Sequence, residues 1–132
     1  MYIRQKRYVV EGLKCQGRTE KGYIDELVDN KSALPTKPSR IKTPFGYYTP
    51  DFEFKNEYIE IKSPKTFKIM LGQTSWIENK PLSDKQYKKI LWVNMNVKPI
   101  HIIIYTKSIK GVCNIDFDKI PLKITIRLEN QN

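Results

Sequence analysis

Histidine occurs once and cysteine twice in these 132 residues. Cys15 and Cys113 stand far apart with no paired ligand spacing, so neither a zinc site nor a disulfide framework is expected and both read as reduced structural thiols. His101, in Pro99-Ile100-His101-Ile102, has no partner at ligand spacing and reads as a strand residue. Also absent is any apolar run of roughly 18 to 20 residues, the length of a membrane span. The opening Met1-Tyr2-Ile3-Arg4-Gln5-Lys6-Arg7 has no apolar signal region, so the expectation is a soluble, cytoplasmic protein with no membrane partner. There is no internal repeat and no low-complexity linker. A chain of this size closes one hydrophobic core but hardly two, which predicts a single domain over 1–132.

Acids are few relative to bases. Twenty-four Lys and Arg against fourteen Asp and Glu leave a net charge of +10, a balance suited to a polyanionic partner, nucleic acid before membrane surface. Eight Tyr, five Phe and two Trp argue for a folded domain and not a basic tail.

Helical spacing of Tyr23, Ile24, Leu27 and Val28 predicts a first helix over 20–28, with Thr19 as N-cap. Residues 30–44, with Pro35, Pro38 and Pro44 among scattered bases, predict a basic loop holding a short strand near 40–42. From Tyr47 to Ser63 the period changes to two, as in a β-hairpin. A poorly patterned stretch follows Pro64, reaching through Trp76 to Pro81, and reads as a loop or irregular insertion. Ser83 to Gln86 has the form of a capping box before a second helix carrying Tyr87, Ile90, Leu91 and Trp92 inward. Pro99–Tyr105 is a β-branched run expected of a strand buried on both faces, and Leu122–Leu128 alternates like a half-exposed one. The predicted class is α/β, with a mixed central sheet flanked by helices.

The chemistry lies in the hairpin. If Lys55 and Asn56 form a two-residue turn, Phe52 faces Ile59 and Asp51 faces Glu60. Glu60 and Lys62, two apart on one strand, share a face, so Asp51, Glu60 and Lys62 converge. Opposed carboxylates repel unless neutralised, and an oxygen-preferring divalent cation such as Mg²⁺ would neutralise them. Beside it, Lys62 could orient or deprotonate a water, or stabilise charge developing on a phosphate. The competing reading is a solvated polar face with Lys62 as neutraliser.

Tyr48-Thr49-Pro50-Asp51-Phe52 followed by Ile59-Glu60-Ile61-Lys62-Ser63 resembles the signature of the PD-(D/E)XK nucleases. The likeness spans roughly residues 18 to 106, and is greatest to small phage endonucleases of the junction-resolving and transposon-end-cleaving kinds. It implies a restriction-endonuclease-like core and a DNA endonuclease using Mg²⁺ or Mn²⁺. Asp51, Glu60 and the Ile61 carbonyl would be metal ligands and Lys62 the catalytic lysine. A fourth site residue, from the first helix, would be Glu20, which lies on the stripe of Ile24 and Leu27; Glu26 is its competitor. The departure from the junction-resolving pattern is the long stretch 63–82.

Lys37, Arg40, Lys42 and Lys89 are expected to bind nucleic acid, with Arg4, Lys6 and Arg7 a further basic run. Gln86 reads equally as a capping partner and as a site residue. The alternating C-terminal strand offers an edge for pairing as a homodimer. Open at this stage are DNA against RNA, endonuclease against exonuclease, and cleavage against binding alone by a basic protein of the same fold.

Overall fold

The computed structural model describes residues 7–10, 13–71 and 85–129. Strands β1 (Arg7–Val10) and β2 (Leu13–Gln16) form an antiparallel pair leading into helix α1 (Gly17–Asp29). The helix therefore begins before Thr19, which lies inside it and is not its N-cap. Gly17 makes the strand-to-helix turn at φ 84°, a left-handed conformation that favours glycine.

Strands β3 (Ile41–Thr43) and β4 (Gly46–Tyr48) then pair as a separate small hairpin. The expected short strand near 40–42 is thus present, but Tyr47 and Tyr48 belong with it and not with the following hairpin. That second hairpin consists of β5 (Phe52–Glu53) and β6 (Tyr58–Lys62), in the expected register of Phe52 opposite Ile59. Its two-residue turn is closed by the Phe54 N–H donating to the Glu57 carbonyl at 2.8 Å. Lys98 clamps the turn from outside, donating to Glu53 at 2.6 Å and to the Phe54 carbonyl at 3.1 Å.

After Ser63 the chain forms helix α2 (Pro64–Met70), where only irregular structure was expected. A local signal exists: Ser63 accepts from the Thr66 N–H, the Thr66 side chain returns to the Ser63 N–H, and Pro64 opens the helix. The run is too short to display helical periodicity convincingly. Helix α3 (Lys85–Asn96) and strands β7 (Ile100–Thr106) and β8 (Lys123–Leu128) complete the order, with two 3₁₀ turns between the last strands. Ser83 and Trp76 lie outside the described residues.

The principal sheet runs β5-β6-β7-β8, antiparallel at the first pair and parallel at the other two. One face carries Tyr58, Ile100, Ile102 and Ile104 against Phe67 and Met70 of α2 and Ile90 and Val93 of α3. Its other face carries Phe52, Ile59, Ile103 and Tyr105 against Tyr23 and Ile24 of α1, with Cys15. The protein is an α/β protein with a mixed sheet between helices. Strand β7 is buried on both faces, as its β-branched run predicts. Trp92 packs partly buried at the edge of the first cluster, and no described helix is long and apolar enough to cross a membrane.

Ile102 is wholly buried at the centre of the sheet. Ile102→Ala should lower unfolding free energy by about 2 to 5 kcal/mol. Urea denaturation would read this as a lower midpoint at unchanged slope, whereas an unchanged midpoint would place Ile102 outside the core.

Candidate active site

Along β6 the side chains alternate between the two faces, and Glu60 and Lys62 project with Tyr58 toward α2 and α3. Both are buried, at 4% and 8% relative exposure, in a position where most strands carry apolar residues. Each is partnered. Glu60 Oε1 accepts from the phenol of Tyr48, and Glu60 Oε2 lies 3.5 Å from Lys62 Nζ. Lys62 Nζ also donates to Gln86 Oε1 at 3.2 Å, which brings the first turn of α3 to the site.

Asp51 reaches the same place by a different geometry from a regular cross-strand pair. Its N–H donates to the Ile59 carbonyl at 3.1 Å, although Ile59 already faces Phe52. Two residues thus stand opposite one, the pattern of a β-bulge, and the expected direct opposition of Asp51 and Glu60 is lost. The physical reason is the early end of β5. Beyond it the Ile61 N–H has no strand to donate to, and Asp51 Oδ2 accepts that bond at 2.7 Å.

The bulge still leaves the Asp51 and Glu60 carboxyls close enough to act on each other's protonation. Burial, and then the Glu60 charge, push Asp51 up to about 8, against the opposing bond from Ile61. Glu60 is also raised by burial, opposed by Lys62, Tyr48 and Asp51. Each acid therefore holds a proton more readily than it would in water, and the two titrate as a pair. Tyr48 in turn is held well above the usual phenol range by its burial beside Glu60.

The first helix contributes from the opposite side. Helix α1 packs on the face away from Glu60 and Lys62, so Glu20 approaches only around the β5 edge. There Lys37 Nζ joins Glu20 Oε1 at 3.2 Å to the Asp51 carbonyl at 3.1 Å, 4.3 Å above the Phe52 ring. A two-way backbone bridge between Thr36 and Glu53 holds Lys37 in place. Glu26 is engaged elsewhere, accepting from Tyr105 at 3.1 Å and pairing with Arg127 at 3.2 Å. Of the two candidates, Glu20 is the one linked to Asp51.

The other sequence-selected bases surround the β3–β4 hairpin. Arg40 lies over the Tyr47 ring at 4.2 Å, Lys42 is exposed opposite Tyr47, and the end of Lys89 packs against Gly46. Arg4 and Lys6 lie outside the described residues. His101 is a β7 residue bonded to Thr125 at 2.6 Å, with its ring 3.5 Å from Glu57. Tyr48 was not singled out by sequence reasoning; its only signal was the alternation of Thr43 and Tyr48 against the polar positions of the small hairpin.

The donor set suits a hard cation. Odd-numbered residues of β6 direct their backbone groups toward β5, as the bonds at Ile59 and Ile61 show, so the Ile61 carbonyl faces the Asp51 edge. Two carboxyls and that carbonyl fit Mg²⁺, which usually takes one or two carboxylates and fills its shell with water and phosphate. Among the described residues no group of three or more His, Cys, Asp and Glu is arranged around a common metal position. No protein-family model matches the chain, and no curated protein or solved structure is significantly similar to it.

An unfolded aspartate releases its proton near pH 3.9, and folded Asp51 holds it to about 8. The folded state binds the extra proton between those limits, so stability without divalent cation should fall as pH rises through that window. Thermal melts from about pH 5 to about pH 8 should show this fall in the wild type and a flatter profile in Asp51→Asn. Equal slopes in the two proteins would mean that the carboxyls ionise independently.

Proposed function

We propose that this chain is a metal-dependent DNA endonuclease with a restriction-endonuclease-like core. The observation carrying this reading is the convergence of a half-buried Asp51 on a buried Glu60 with a buried Lys62 beside it. Burying two acids against each other is costly, and a binding module for a polyanion gains nothing from it. A bound Mg²⁺ or Mn²⁺ would supply Lewis-acid stabilisation of the phosphate. Asp51, Glu60 and the Ile61 carbonyl would hold it, with Glu20 steered toward the same edge by Lys37.

Lys62 would hydrogen-bond the attacking water or the phosphate oxygen on which charge develops. Gln86 fixes its amino group from the far side, and Glu60 sets its distance from the acids. Excess positive charge of +10 favours approach of DNA. Strand β8 lies at the sheet edge, where pairing across a two-fold axis would give a homodimer bearing two sites. A phage enzyme acting in the host cytoplasm fits the same reading.

Cleavage of DNA should require Mg²⁺ or Mn²⁺ and cease in chelator. Asp51→Ala should abolish cleavage and weaken metal binding in calorimetry. Lys62→Ala should retain metal binding while turnover falls by about two orders of magnitude or more. Either variant, folded and cutting near the wild-type rate, would remove this hairpin from the active site. Persistent salt-sensitive DNA binding by a wild type that cuts nothing would instead favour a non-catalytic basic protein.

A further inference from the structure

The β3–β4 hairpin displays aromatic rings where a small domain ordinarily hides them. Phe45 is 44% exposed and Tyr47 51% exposed, while Tyr48, the next residue, is buried at 5%. The turn beneath Phe45 is stiff. Thr43 Oγ1 donates to the Gly46 carbonyl at 2.6 Å and accepts from the Phe45 N–H at 3.1 Å, and Pro44 fixes its own φ. Gly46 takes φ 119° to let the chain reverse, with the end of Lys89 packed against it.

Each exposed ring has a cation near it. The Arg40 guanidinium lies 4.2 Å from the Tyr47 centroid, and the Lys88 ammonium 6.0 Å from that of Phe45. Lys42 stands directly opposite Tyr47 on the outer face. Among the described residues, the segments that form this region carry no acid: residues 30–50 contain none, and helix α3, which packs on the hairpin, contains none either. A protein partner with an apolar patch would not require such one-sided charge.

We infer that this hairpin is a stacking platform for the unpaired bases of single-stranded DNA. The inference rests on the nuclease reading and names its substrate class, a strand with unpaired nucleotides in place of a continuous duplex. In a duplex the π-faces of the bases are occupied by their neighbours, so a duplex would use the lysines and arginine but leave Phe45 and Tyr47 without a role. Unpaired bases offer those faces, and their phosphates meet the flanking cations. The hairpin is also tied to the acid pair, since Tyr48 donates to Glu60 from the position adjoining Tyr47. A base stacked on Tyr47 would thereby be held in fixed relation to the site.

The test is fluorescence anisotropy in chelator, with the full chain, a labelled single-stranded oligonucleotide and the duplex of the same sequence. Phe45→Leu and Tyr47→Leu keep apolar bulk and remove the planar face, and both positions are exposed, so the fold should be retained. Each should weaken single-strand binding about 5-fold or more, from a stacking contribution of about 1 to 3 kcal/mol per base, and leave duplex binding within about twofold. Tyr47→Trp, which keeps a planar face at that position, should retain single-strand binding. Lys42→Ala should weaken both substrates and reduce the salt dependence by about one counterion. Unchanged single-strand binding in the leucine variants, or equal losses on both substrates, would overturn the platform. Binding is read without metal, so loss of the nuclease reading would appear separately, as no cleavage by a wild type whose single-strand binding still depends on Phe45 and Tyr47.

Discussion

The arrangement around the site depends on one uncomfortable contact, the approach of the half-buried Asp51 carboxyl to the buried one of Glu60. Two ionised carboxylates could not remain there without compensation, and the surrounding structure supplies it from several directions. Lys62, 3.5 Å from Glu60, offsets part of the charge. Tyr48, Lys62 and the Ile61 N–H satisfy carboxyl oxygens of the pair. These partners come from β4 and β6, and Gln86 of α3 holds Lys62 in turn, so the acid pair joins the small hairpin, the principal sheet and a helix. It is a polar joint between elements that also meet through apolar packing.

Much of the principal sheet was legible because its signals are local. The hairpin register followed from period-two alternation and a two-residue turn, and a β-branched run marked the doubly buried strand at Ile100–Thr106. The bulge at Asp51 was not legible. It depends on β5 ending early enough to expose the Ile61 N–H, which no alternation pattern records. Helix α2 shows the opposite failure: its capping box is written in Ser63-Pro64 and Thr66, but seven residues make too few turns to show an apolar stripe.

The face from which Glu20 approaches was harder still. Its place on the stripe of α1 correctly turned it toward the sheet, but a helical stripe cannot say which face of a sheet it covers. That is decided by topology, and here α1 packs opposite Glu60 and Lys62. The link from Glu20 to Asp51 is Lys37, held by a bridge between Thr36 and Glu53 across 17 positions of sequence. From sequence, Lys37 was grouped with Arg40 and Lys42 as a base expected to bind nucleic acid. Its ammonium instead lies among Glu20, the Asp51 carbonyl and the Phe52 ring, so part of the positive charge of the 30–44 segment is directed inward.

This division of the bases bears on how charge can serve both binding and chemistry. Lys37 and Lys62 are spent on acids and carbonyls near the sheet edge, where each neutralises local negative charge. Arg40, Lys42 and Lys88 stand on or beside the small hairpin, next to aromatic rings. On the proposed reading a polyanion would be drawn to the outer group, and at the inner site it would meet acids partly offset by lysine. Were the same bases distributed evenly, they would form surface ion pairs of little value to either task. On the proposed reading, separating them would let the outer cations and rings bind a strand while the inner lysines offset the charge of the acid pair.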